Sequence, residues 1–184
     1  MNVMRYPYNP DKARALLHEA GYPNGFHVSL MDQTRSPEDI LANIVQSDWR
    51  AVGIDVVLDP TEPVRAFDRR DKLDFEATVV SQGRPADPDL SFSALFYSKI
   101  RGSADSGDYI NYTAVDKLIE AGRIEQSREK RQQIYDALMK KVQTDLPIIP
   151  LSFQAFVAAW RAPVLTMIDG VNNNFLSDTI QIQK

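Results

Sequence analysis

Twice in succession the chain opens a helix with a capping pair and closes it with a glycine that leads into a strand, and this alternation admits few folds. Asn9-Pro10 sets an N-cap side chain before a proline whose missing N–H falls where a helix has no partner for it. Ala13, Leu16, Leu17 and Ala20 then share one face, and Gly21 ends the helix. After the Pro23-Asn24-Gly25 turn, Phe26-His27-Val28-Ser29-Leu30-Met31 reads as a strand. Ser36-Pro37-Glu38-Asp39 opens a second helix, whose Ile40, Leu41, Ile44, Val45, Trp49 and Val52 keep a helical period. Gly53 closes it, and Ile54-Asp55-Val56-Val57-Leu58 is a second strand. Glu62-Pro63 begins a short helix to about Arg70, and Phe75-Glu76-Ala77-Thr78-Val79-Val80 makes a third strand. Strands separated by helices require crossover connections, so the expected fold class is α/β, with a mixed, mainly parallel sheet flanked by helices.

The second half is read in the same way. Residues 81–88 turn to Gly, Pro, Asp and Arg directly after a strand, and in open α/β sheets ligands sit beyond the carboxyl ends of the strands. A short helix is expected over 89–97, and the polar, glycine-rich stretch 98–107 is expected to be mobile. One further helix carries Val115, Leu118 and Ile119. Another runs over about 127–145, with Ile134, Leu138 and Val142 inward and Tyr135 and Met139 beside them. Leu146-Pro147-Ile148-Ile149-Pro150-Leu151 suits a strand entered from a helix end. Phe156-Val157-Ala158-Ala159-Trp160 and Thr179-Ile180-Gln181-Ile182 are also strand-like, with a turn-rich segment around Gly170 and Asn172-Asn173-Asn174 between them.

Composition narrows the function classes. A length of 184 residues suffices for one real core, and the net charge of −4 lacks the basic face a nucleic acid requires. No apolar run approaches the ~20 residues that span a bilayer. With no cysteine, disulfides, zinc ribbons and thiol catalysis are excluded. The two imidazoles, His18 and His27, stand beside no serine elbow, and no His-x-x-x-His pair or phosphate-cradling glycine loop occurs. Asp87-Pro88-Asp89 departs from calcium-loop spacing and reads as a turn followed by a helix cap. No cofactor and no metal are expected, and binding leads catalysis.

Four ordered stretches resemble the bacterial extracellular solute-binding proteins of the peptide/nickel class, family 5. Tyr8-Asn9-Pro10-Asp11-Lys12-Ala13-Arg14-Ala15-Leu16-Leu17, continuing to Gly21-Tyr22-Pro23-Asn24-Gly25-Phe26, is similar to that family's Y-[DN]-P-x-K-A-x-x-L-L…AGYPNGF segment. Residues 46–57, with Trp49, Gly53-Ile54 and Val56, resemble its helix ending in a GI-x-V strand. Arg84-Pro85-Ala86-Asp87-Pro88-Asp89 resembles its G-R-x-D-P-D loop. Residues 128–151, with Arg131, Tyr135 and Leu146-Pro147-Ile148-Ile149-Pro150-Leu151, resemble its R-x-x-x-Y…P-x-IPL run.

The resemblance implies the C-terminal lobe of a periplasmic-binding-protein type II-like fold and a role without enzymatic chemistry. It implies capture of a peptide or related carboxylate-bearing solute between two lobes, and delivery to the membrane permease of an ABC importer. Residues 1–155 would form the ligand-binding lobe. Residues 156–184 would cross back to complete a missing N-terminal lobe, and without that partner the tail is expected to be disordered, packed abnormally or paired with another copy. A periplasmic or lipid-anchored location follows, with the signal segment outside these residues. Two departures bear on the ligand. Many peptide-binding members have a tryptophan after the third strand and, three residues on, an aspartate that pairs with the peptide amino terminus. Those places are Ser81 and Arg84 here. A guanidinium repels an ammonium and suits a carboxylate, so Arg84 is expected as an anion clamp, with Ser81 and Gln82 presenting polar groups and Asp87 orienting the loop. Tyr109, Asn111 and Asp116 echo the family's Tyr-x-Asn-Pro-x-x-Asp segment one residue out of register and without its proline. Two other readings are weighed against this one. In the first, Asp87 and Glu76 form an acid/base pair of a hydrolase or transferase half-domain; in the second, the chain is a non-catalytic interaction module.

Overall fold

The computed structural model describes residues 6–81, 87–100, 110–152, 165–166 and 181–182. Its first part is a three-stranded sheet in the order β2-β1-β3. Helix α1 (Pro10–Glu19) is capped by Asn9, whose side chain accepts from the Lys12 N–H at 2.9 Å. It lies on the surface: none of its residues is buried, and Leu16 is more than half exposed.

The chain then turns into β1 (His27–Gln33), crosses through α2 (Glu38–Ala51) and returns as β2 (Asp55–Thr61). β1 and β2 are parallel, with His27 opposite Asp55 and Gln33 opposite Thr61. Helix α3 (Pro63–Asp71) leads to β3 (Ala77–Thr78), which runs parallel to the other side of β1. The Glu62 carboxylate caps α3 by accepting from the Val64 and Arg65 N–H groups. Val28, Leu30, Ala42, Val45, Val56 and Val79 form the core here, with Leu41, Trp49 and Ile54 against it. Ile40 and Ile44 keep the helical period, yet both are more than half exposed. The stripe that meets the sheet is the one through Ala42 and Val45, and the two isoleucines fall beside it.

A second core joins α4 (Pro88–Phe96), α5 (Asp116–Ile124) and α6 (Arg128–Asp145). It contains Phe96, Tyr97, Val115, Ile119, Tyr135 and Leu138, and Phe92 stacks on Tyr135 with ring centroids 5.6 Å apart. The Tyr135 ring is buried where Gly122 of α5 faces α6: a Cβ on Gly122 would lie 2.8 Å from the ring. A one-turn 3₁₀ helix, Ser98–Ile100, follows α4. Ser127 caps α6, whose end is set by Leu146 in the left-handed region.

Two expectations change. The third strand was expected over 75–80, but only Ala77–Thr78 pairs, followed by one more bond from the Val79 N–H to the Met31 carbonyl. No strand forms over 146–151. The left-handed Leu146 turns the chain off the helix, and Pro147 and Pro150 have no N–H to offer a ladder. In the tail, β4 (Leu165–Thr166) pairs antiparallel with β5 (Gln181–Ile182) as a separate two-stranded sheet. The strand expected at 156–160, the turn-rich segment around Gly170 and most of the stretch 98–107 lie outside the described residues.

Candidate functional site

At the carboxyl ends of β1 and β2 the core turns polar. The β1–β2 ladder continues for one more bond, from the Thr34 N–H to the Thr61 carbonyl at 3.1 Å. Four side chains around these ends, Asp32, Gln33, Glu38 and Thr61, are each at most 5% exposed. Asp32 and Gln33 close β1, Thr61 closes β2, and Glu38 is the first residue of α2. α3 braces the far side: Arg69 donates to Asp59 at 2.6 Å and to the Thr61 hydroxyl at 3.1 Å.

Glu38 is held in a specific way. One carboxylate oxygen, Oε1, accepts from Arg35 Nη2 at 3.0 Å. The Glu38 side chain is 1% exposed, whereas that of Arg35 is 50% exposed. Burial pushes the Glu38 pKa up, but a backbone N–H, the Ser81 side chain and Arg35 together outweigh it, and the carboxyl sits below its ordinary range. Glu38 Oε2, Asp32 Oδ1 and Gln33 Oε1 are buried acceptors without a hydrogen-bond partner among the described residues. Buried acceptors of this kind are uncommon in folded proteins.

Burial raises the Asp32 pKa, and the charges of Asp39 and Asp59 add to the effect against a backbone N–H that lowers it. A carboxyl raised in the folded state costs stability while ionised. The cost is full above the folded pKa and vanishes as pH falls through it toward the ordinary value of 3.8. Asp32→Asn is therefore expected to raise the Tm at neutral pH, with the two proteins converging as the medium is acidified toward that value. Thermal denaturation followed by circular dichroism over that pH range checks it; a variant that melts lower at neutral pH counts against it.

Of the residues expected at the site, Ser81 is exposed at the end of the segment continuing β3, beside Glu38. Asp87 is the N-cap of α4: its Oδ1 accepts from the Asp89 N–H at 2.7 Å and from Arg131 Nη2 at 3.0 Å. Those two donors, the backbone N–H first, hold its pKa below the ordinary range. Arg131 also donates to the Gly122 carbonyl at 3.0 Å, so Asp87 is tied to α5 and α6 together. Gln82 and Arg84 lie outside the described residues. Glu76, offered as the acid/base partner of Asp87, accepts from the Ser29 N–H at 2.6 Å, near the opposite ends of the strands. The structure does not bring the two together. Asp87, with its pKa lowered, is also tuned away from general-acid work.

Arg35 and Glu38 were not singled out from the sequence. The signal available was an arginine and a glutamate three residues apart, directly after a strand. Among the described residues no group of three metal-ligating side chains occurs, and no helix is long and apolar enough to cross a membrane. An open recess at the other end of the sheet is lined by Arg14, Tyr22, Asn24 and Arg50. Its arginines are committed to backbone carbonyls of Ala51 and Val56.

Residues 2–103 match the family described as bacterial extracellular solute-binding proteins, family 5, middle region. Over 161 residues the chain is 29% identical to heme-binding protein A of Haemophilus influenzae, covering 82% of this chain and 28% of that protein. Over 140 residues it is 27% identical to the dipeptide-binding protein of Escherichia coli, covering 73% of this chain and 26% of that protein. The chain thus spans little more than a quarter of the length of these two relatives. The structure of HbpA2 from Haemophilus parasuis superposes over the whole chain and 37% of its own length, with a TM-score of 0.81 at 22% identity. That likeness shows the fold: α/β, of the periplasmic-binding-protein kind. The proteins of this class bind solutes and carry out no catalysis.

Proposed function

The chain belongs to the bacterial extracellular solute-binding proteins of family 5, and from that premise we propose that it is the second lobe of a two-lobed receptor serving an ABC importer. In this reading residues 1–155 form one wall of the binding cleft. Residues 156–184 cross back toward an N-terminal lobe that belongs to the same polypeptide. The receptor works outside the cytoplasmic membrane, free in the periplasm or lipid-anchored, and hands its solute to a membrane permease after the lobes close.

The solute is a peptide or a related small molecule bearing a carboxylate. The observation that carries this reading is the polar end of the sheet: the half-exposed guanidinium of Arg35 stands over buried Glu38, with exposed Ser81 alongside. Ligands of open α/β sheets bind at that end, and a guanidinium is the side chain suited to a carboxylate. Ser81 and Gln82 present polar groups there, Arg84 supplies a second cation, and Asp87, anchored to Arg131, orients the start of α4. A dipeptide, named for the Escherichia coli relative, carries the required carboxylate.

The test is calorimetric titration of the full-length receptor with Ala-Gln and with its C-terminal amide, in the wild type and in Arg35→Ala and Arg84→Ala. Loss of a charge-assisted hydrogen bond weakens binding by roughly 1.5–3 kcal/mol, about 10- to 150-fold. That loss is expected for the free acid in at least one variant, together with a comparable preference of the wild type for acid over amide. Unchanged affinity in both variants overturns the carboxylate clamp.

A further inference from the structure

We propose that Glu38 is a specificity-determining residue: as a fixed counter-charge to Arg35 it makes this wall of the cleft select ligands with one carboxylate over ligands with two. The inference rests on the reading above, that Arg35 faces a carboxylate-bearing solute. A receptor needing only a strong anion clamp gains nothing by burying a carboxylate under its arginine. Here the carboxylate is built in. Glu38 is the first residue of α2, its side chain is 1% exposed, and Oε1 takes a hydrogen bond from Arg35 at 3.0 Å. Among the described residues Glu38 is the only side chain to which Arg35 donates.

Electrostatics gives the pair its selectivity. The carboxyl is held below its ordinary pKa range by a backbone N–H, Ser81 and Arg35 in spite of its burial, so it is ionised wherever the receptor works. Arg35 and Glu38 are then neutral as a pair. One ligand carboxylate can dock on the remaining guanidinium N–H groups, since hydrogen bonds of that kind are short-ranged and directional. A second ligand carboxylate finds no net positive field from this pair. It meets instead the negative charge of Glu38. Repulsion acts with less screening here than at an open surface.

The experiment uses the full-length receptor and the isosteric pair Ala-Gln and Ala-Glu, which differ by one carboxylate. The wild type is expected to bind Ala-Gln more tightly. In Glu38→Gln that preference should shrink about tenfold, the scale of one partly screened charge at short range. In Glu38→Asp, which keeps the charge, it should persist even if both affinities fall. A merely structural role would lower both affinities and leave their ratio alone, so an unchanged ratio in folded Glu38→Gln overturns the proposal.

A measurement on the wild type guards against a variant that fails to fold. Affinity for Ala-Gln should vary little with ionic strength if Arg35 and Glu38 form a neutral pair. A steep loss of affinity with added salt, equal in the wild type and in Arg84→Ala, indicates net positive charge at the Arg35–Glu38 pair and also overturns the proposal. The two readings fail separately. If Arg35→Ala and Arg84→Ala leave Ala-Gln affinity intact, the carboxylate clamp is wrong and this inference falls with it. If Arg35→Ala weakens binding while Glu38→Gln keeps the wild-type ratio, only the counter-charge is wrong; if Arg84→Ala alone weakens it, the clamp stands away from Arg35 and this inference falls.

Discussion

Gly25→Ala is expected to prevent stable folding of the sheet. Gly25 has φ +73°, and a Cβ built there would lie 1.7 Å from the Gly53 carbonyl oxygen and 2.6 Å from its carbon. Both atoms are backbone, so no side chain can swing aside. The contact lies at the start of both long strands. The Asp55 N–H donates to the Phe26 carbonyl at 2.8 Å, and from there His27 to Gln33 pair with Asp55 to Thr61. Moving either turn by the distance a methyl needs would detach the first rungs of that ladder. The left-handed conformation alone costs an alanine roughly 1–2 kcal/mol. With the overlap added, a total above about 4 kcal/mol is expected, among the largest single-residue effects. Gly21→Ala is the control. Its φ is +89°, but nothing lies within 4 Å of the added Cβ, so only the conformational cost remains. Urea titration of the two variants, read by tryptophan fluorescence, should show a small shift for Gly21→Ala and loss of the transition for Gly25→Ala. Equal shifts would mean the two turns part easily.

The second large effect is expected at Leu138→Ala. Leu138 is fully buried on α6, packed in the cluster of Phe96, Val115, Ile119 and Tyr135. Truncation of a buried leucine costs roughly 2–5 kcal/mol, the upper end applying where the surroundings cannot collapse into the gap. Collapse is restricted here because Tyr135 is already pressed against Gly122 and stacked on Phe92. The two cores share no residue, so the cost should fall unevenly. Amide hydrogen exchange should accelerate across α4, α5 and α6, while the central amides of β1 and β2 keep their protection. Uniform acceleration through the sheet would show that the two cores unfold as one unit.

The parts of the fold legible in the sequence are those decided by local chemistry. Asn9, Glu62, Asp87 and Ser127 each cap the helix that follows, and Gly21, Gly25 and Gly53 all have positive φ. Where tertiary contacts decide, reading by pattern went astray. Phe75 to Val80 has the composition of a full strand, yet only two residues pair with β1. Ile40 and Ile44 match the period of α2 and still face out, because periodicity gives the angle between stripes and not which stripe meets the sheet. Tyr135 was expected beside the inward line of α6, but it is buried, since Gly122 leaves room for its ring. The loop after β3 is read as part of the site from its glycine, proline and aspartate, and residues 82–86 of it lie outside the described residues. The Arg35–Glu38 pair escaped notice because its meaning comes from burial: on a surface the same spacing is an ordinary i,i+3 ion pair of little consequence.

The anchoring of residues 81 and 87 has a consequence for how such a receptor can diversify. Ser81 sits against Glu38 at the edge of the first core, and Asp87 is bonded to α4 and to Arg131 of the second. The chain is thus fastened on either side of Gln82-Gly83-Arg84-Pro85-Ala86 by contacts that use none of those five residues. In the proposed reading, where residues 82–86 face the solute, that segment can change with the solute while these two fastenings stay in place. The same arrangement offers a place to graft the loop of a sister receptor, a direct test of whether residues 82–86 set the choice of solute.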